Sequence, residues 1–85
     1  MATREQVTET FVNTLSTILE KPAEEIRANL GASFKEDYGM TSLQYFPLIG
    51  EMEDVFDVEM DYSGFLMNAK TVQEGIDFVC KAMEG

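Results

Sequence analysis

Few side chains in this sequence are equipped for chemistry. The first is Ser42, in Gly39-Met40-Thr41-Ser42-Leu43, where a loop gives way to an acidic helix with an apolar stripe. A serine at such a junction offers a hydroxyl for covalent attachment, although a lone serine there is ordinarily part of a helix cap. The second is Cys80, the one cysteine. Apart from Lys81, no base nearby in the sequence would lower its pKa, so it reads as a small buried apolar residue and not a reactive thiol. The third is a run of acids, Glu51, Glu53, Asp54, Asp57, Glu59 and Asp61, with no base among them. Alone, such a run is usually a solvated face.

What is missing narrows the chemistry further. Histidine is absent, which removes the commonest general base and the commonest metal ligand. Zinc sites and Ser-His or Cys-His nucleophile pairs are excluded. A GxxxxGK[ST] phosphate loop is also missing. Asp57, Glu59 and Asp61 alternate like the first ligands of a calcium loop. However, Tyr62 falls where that loop needs Gly, and Asn68 where it needs Glu. No catalytic residue and no metal site is expected, and the chain does not read as an enzyme.

The bulk properties agree. The 85 residues are 45% apolar, which suits one small folded domain, residues 1–85, with a modest core. Sixteen acids against six bases leave a net charge of −10. That argues against nucleic acid and anionic membranes, and for a basic partner protein met by fast, salt-sensitive association. Neither a signal peptide nor a membrane span is visible. With a single cysteine, this points to a reducing, cytoplasmic compartment.

The elements that would position Ser42 are helical. Thr3-Arg4-Glu5-Gln6 is a capping box, and Val7, Phe11, Leu15, Ile18 and Leu19 follow as one apolar stripe. Pro22 ends that helix near Glu20 or Lys21. A long connection runs from Pro22 to Met40 and begins with a short helical turn. Ile26, Leu30, Phe34 and Tyr38 are its anchors to the core. Long loops of this kind are often functional. Thr41-Ser42-Leu43-Gln44 is a second capping box, with Thr41 as N-cap and Ser42 at the first helical position.

Phe46, Ile49, Met52 or Val55, and Phe56 are expected to face inward from this next helix. Pro47 and Gly50 sit badly in it. Either the helix is kinked there or its regular part begins near Pro47. Residues Met60 to Asn68 form a short helix or an ordered loop. Thr71-Val72-Gln73-Glu74 opens the last helix, with Val72, Ile76, Val79 and Met83 inward and Cys80 alongside. The expected fold is all-α: a small bundle of three main helices and one short one, with a long first loop.

This order, with Phe34-Lys35-Glu36-Asp37-Tyr38-Gly39-Met40-Thr41-Ser42-Leu43 before the acidic helix and Thr71-Val72 opening the last, resembles the acyl carrier proteins over nearly the whole chain. Their attachment motif usually reads Gly-x-Asp-Ser-Leu. Phe34, Asp37 and Gly39 match the approach, Ser42 the serine and Leu43 the residue after it. Glu53, Asp54, Asp57 and Glu59 match family acids that meet basic patches on partner enzymes.

The resemblance implies a covalent 4′-phosphopantetheine on Ser42, flanked by Thr41 and Leu43. It also implies a phosphopantetheinyl transferase as partner, and acyl-loading and acyl-processing enzymes that dock on Glu51, Glu53, Asp54, Asp57 and Glu59. A monomer is expected. Thr41 replaces the usual Asp; Gln44 and Pro47 replace commonly acidic residues. These departures suggest a specialised carrier of a lipid, polyketide or related acyl pathway. Two other readings stay open: an aminoacyl or peptidyl carrier, and an acidic helical adaptor without an arm.

Overall fold

The computed structural model describes residues 2–84. Five helices follow in order: α1 (Arg4–Leu19), α2 (Ala23–Arg27), α3 (Ser42–Phe56), α4 (Tyr62–Asn68) and α5 (Val72–Met83). The all-α expectation holds. The turn expected after Pro22 is the five-residue α2, with Pro22 as its N-cap. Among the described residues, extended backbone pairs at one isolated antiparallel bridge, Ser33 with Thr71.

Local rules set the helix ends. The Thr3 hydroxyl accepts the Gln6 N–H at 3.2 Å, and Gln6 Oε1 accepts the Thr3 N–H at 2.8 Å. Thr71 and Glu74 repeat this reciprocal pair at 3.1 and 3.2 Å. Each satisfies donors that a helix start leaves free. α1 ends where Glu20 turns left-handed at φ 56°, with its N–H on the Ser16 carbonyl. Pro22 stands just beyond, as the sequence requires.

α1 is the central element and packs against α2, α3 and α5, while α4 bridges α3 and α5. Arg27 grips Glu9 through two 2.9 Å bonds and fixes α2 to α1. Arg4 pairs with Asp77 and ties α1 to α5. Both pairs are on the surface, so most of the stability must come from apolar burial.

That burial centres on aromatic rings, one from each part of the chain. Phe11 comes from α1, Phe34 from the long loop, Tyr45 from α3, Phe65 from α4 and Phe78 from α5. Phe34 lies 6.2 Å from Phe11, 5.6 Å from Tyr45 and 6.1 Å from Phe65, centroid to centroid. Phe65 lies 5.4 Å from Phe78, edge to face. Tilted and edge-to-face pairs suit the ring quadrupoles.

The expected inward faces of the first and last helices are found. Val7, Phe11 and Leu15 are buried on α1, and Val72, Ile76 and Val79 on α5. Ile18, Leu19, Met83 and Cys80 pack at the margin. Ile26 and Phe34 anchor the loop fully, Leu30 and Tyr38 partly.

The face of α3 is corrected in part: Ile49 and Met52 are inward and Phe56 packs at the margin, as expected, but Phe46 does not face the core. Tyr45, Leu48, Ile49 and Met52 point inward, whereas Phe46 and Val55 are 56% and 49% exposed. Steps of three residues, as in Phe46-Ile49-Met52, drift around a helix of 3.6 residues per turn. The set Tyr45-Leu48-Ile49-Met52 stays on one side. α3 is one helix through Pro47. The carbonyl that Pro47 cannot serve belongs to Leu43, a residue 75% exposed, so water can reach it.

Gly75, inside α5, has a packing reason. A Cβ there would lie 2.6 Å from Phe11 Cζ, 3.0 Å from Phe34 Cζ and 3.2 Å from Phe65 Cζ. Helix propensity alone favours Gly75→Ala by about 1 kcal/mol. Three locked rings oppose it, and overpacking of this kind costs about 1–3 kcal/mol or more. Gly75→Ala is therefore expected to lower the urea midpoint. An unchanged or raised midpoint would show that the rings yield freely.

Candidate functional site

The route to Ser42 is held from behind. The Phe34 N–H donates to the Lys70 carbonyl, and the Phe34 carbonyl accepts the Met40 N–H, both at 3.0 Å. Ala32 and Leu30 carbonyls accept the Val72 and Gln73 N–H groups at 3.1 and 2.7 Å. The Asp37 carboxylate accepts the Ser33 N–H at 2.6 Å. Gly39 then turns left-handed at φ 61°, a conformation that other residues adopt at a cost. Met40 drops into the core, 4% exposed. Thr41, Ser42 and Leu43 emerge on the surface.

Thr41 is the N-cap of α3, in extended conformation. Its N–H donates to Gln44 Oε1 at 2.9 Å. The Gln44 N–H meets the Thr41 carbonyl at 3.0 Å. The Thr41 hydroxyl stands in the capping-box position but does not close a bond of full geometry. Ser42 is the first helical residue, as its spacing predicts. The first turn of α3 has no acid, so nothing there offsets the positive end of the helix dipole. An exposed serine beside free N–H groups can accept a bulky anionic phosphodiester without steric conflict.

A neighbour not expected from the sequence completes the site. The Tyr62 hydroxyl, at the start of α4, donates to the Ser42 carbonyl at 2.6 Å. The Tyr62 ring stacks on Phe46, with centroids 4.3 Å apart and planes 11° off parallel. The two contacts hold the first turns of α3 and α4 together. They join residues twenty and sixteen apart, and no local pattern announces them; the only hint is an aromatic at the head of a short helix.

The five acids expected to meet partners lie farther along. Glu51, Glu53 and Asp54 are on the second half of α3. Asp57 caps it in left-handed conformation at φ 52°, and Glu59 follows in the connection to α4. Four of the five are exposed. Glu53 is half-buried and its carboxylate accepts the Met60 N–H at 3.0 Å, so it also fastens the turn after α3.

A family model described as a phosphopantetheine attachment site matches residues 9–79. The chain belongs to that family. It is a carrier protein bearing covalent 4′-phosphopantetheine, and it is not an enzyme. When bound, that group supplies a flexible arm whose terminal thiol holds acyl groups as thioesters. The exposed Ser42 and the acid-free helix start suit its phosphodiester. No helix among the described residues is long and apolar enough to cross a membrane.

Cys80 is half-buried. Burial raises its thiol pKa above the ordinary value, while Arg4 pulls it back in part. Since the folded protein favours the neutral thiol, its stabilising contribution is present below the ordinary thiol range and is lost as pH rises through the raised pKa. Alkylation by iodoacetamide near pH 8 is expected to be slower in the folded protein than in urea. Equal rates would mean that the thiol is neither shielded nor shifted.

Tyr62→Phe keeps the stack on Phe46 and removes the bond to Ser42. A loss of about 0.5–1.5 kcal/mol in unfolding free energy is expected. No loss would mean that water replaces the bond at no cost.

Proposed function

We propose that Ser42 carries the phosphopantetheine arm and that the protein presents acyl groups to the enzymes of a dedicated lipid, polyketide or related acyl pathway. One observation supports this best. Within the matched stretch, Ser42 is exposed at the first turn of α3, directly after the Gly39 turn and the Thr41 cap. A phosphopantetheinyl transferase would bring coenzyme A. The Ser42 Oγ–P bond forms as the pyrophosphate P–O bond breaks, adenosine bisphosphate leaves with the electron pair, and a base of the transferase takes the serine proton. The chain then contributes position and recognition.

Recognition falls to Thr41 and Leu43 beside the arm, and to Glu51, Glu53, Asp54, Asp57 and Glu59 for enzymes with basic docking patches. The protein acts as a monomeric single domain in the cytoplasm. The lack of an acid at Thr41, Gln44 and Pro47 suits a specialised pathway with its own partners. Charge steering by the distal acids makes association faster at low salt.

The decisive measurement is intact mass after incubation with coenzyme A, magnesium and a broad-specificity transferase. A gain of one phosphopantetheine unit is expected, and none in Ser42→Ala. Thr41→Asp is expected to raise kcat/KM for this reaction about fivefold, the equivalent of ~1 kcal/mol for one exposed ionic contact. No gain with either this transferase or one from the native host would overturn Ser42 as the attachment residue. The acidic adaptor would then be the better reading.

A further inference from the structure

The rings around α3 bear on where a tethered acyl group rests. The interior next to Ser42 is filled. Tyr45, three residues along on the inward face, is 3% exposed, and Phe11, Phe34 and Phe65 are fully buried. Tyr45 lies 5.6 Å from Phe34 and 6.0 Å from Phe65, centroid to centroid. Beyond them, Gly75 lacks room even for a methyl group. An acyl chain entering the bundle from this end must part rings already in contact with one another.

The exterior is arranged differently. Phe46 lies four residues after Ser42, so the two side chains neighbour each other on the helix surface. Phe46 is 56% exposed although one of its faces is covered by Tyr62. Tyr62 is in turn bonded to the Ser42 carbonyl. Leu43, 75% exposed, adds apolar surface beside it. The result is an open aromatic shelf fixed to the backbone of Ser42 itself, with no acid in that turn.

We propose that this shelf, Phe46 backed by Tyr62 and flanked by Leu43, is a binding site for the cargo: an apolar acyl group, above all a planar one, folds back onto Phe46 and does not enter the bundle. The inference rests on Ser42 as the attachment residue. Tethering makes a weak contact sufficient. A flexible link gives an effective concentration on the order of millimolar, so a group of similarly weak intrinsic affinity still populates the shelf. A planar group gains most, because offset stacking on Phe46 adds to plain apolar contact. Tyr62 is here a positioning residue that keeps the shelf level with the attachment point.

The test uses two loaded forms, made from acetyl-CoA and from benzoyl-CoA with the same transferase. Intact mass comes first. No added unit would overturn the carrier reading at Ser42, and the shelf with it. With loading established, two-dimensional NMR compares the two forms. The expected result is resonance shifts at Leu43, Phe46 and Tyr62, with cross-relaxation between benzoyl and Phe46 protons, while Phe34, Phe65 and Ile76 stay unchanged. Phe46→Ala, at an exposed position, should fold and lose these differences; Tyr62→Phe, which retains the stack but releases it from the Ser42 carbonyl, should reduce them. Shifts centred on Phe34, Phe65 and Ile76 would place the cargo inside and overturn the proposal. So would matching spectra of the two forms, or differences that survive Phe46→Ala.

Discussion

Phe34 is the residue on which the rest depends. It is not in a helix, yet its ring sits among those of Phe11, Tyr45 and Phe65, and its backbone is held on both sides by Lys70 and Met40. A loop residue buried this way must have its N–H and C=O satisfied, or the burial would cost more than it returns. The pairing with the segment before α5 supplies the N–H partner. The bend at Gly39 brings the Met40 N–H back to supply the other. The same two bonds therefore stabilise the core and fix where the chain leaves it. Thr41 and Ser42 are on the surface because Phe34 and Met40 are not.

Around that anchor the helices divide the work. α1 touches three other helices. α5 closes the ring cluster through Gly75, where the absence of a side chain lets three phenyl tips converge. α4 is short and weakly designed as a helix, with Gly64 inside it. It is held by what it places elsewhere: Phe65 in the core, and Tyr62 against Ser42 and Phe46. The part of the molecule nearest the candidate attachment point is thus fastened by one aromatic inside and one outside.

How far the sequence could be read follows from the range of each interaction. The capping boxes at Thr3 and Thr71 span four residues, so they are visible in the letters and appear in the structure with both bonds. The stripes on α1 and α5 could be read because Val7, Phe11 and Leu15, and Val72, Ile76 and Val79, recur at helical spacing, although Val12, outside the expected stripe, is buried too. α3 has Tyr45 and Phe46 side by side, and periodicity cannot rank two adjacent aromatics. Packing chose Tyr45, whose ring completes the cluster, and left Phe46 outside. The Tyr62–Ser42 bond is tertiary and has no local signature. Gly75 lies in a helix interior, where a glycine costs about 1 kcal/mol against alanine and needs a reason. Its reason, however, is three rings from three other segments.

The outer surface of α3 changes character along its length. Leu43, Phe46, Pro47 and Gly50 make its first half neutral and largely apolar; acids begin only at Glu51. The two halves suit different tasks. Distal acids act over a Debye length and can steer a basic partner without touching the arm. Near Ser42, an acid at position 41 would add attraction for such a partner but would also repel the phosphodiester proposed there, within one turn of the helix start. Threonine keeps the extended cap conformation and its bond to Gln44, and leaves the helix dipole free to favour the single negative charge of the phosphodiester. Recognition close to the arm then depends on shape and apolar contact, and long-range attraction is left to the far end of the helix.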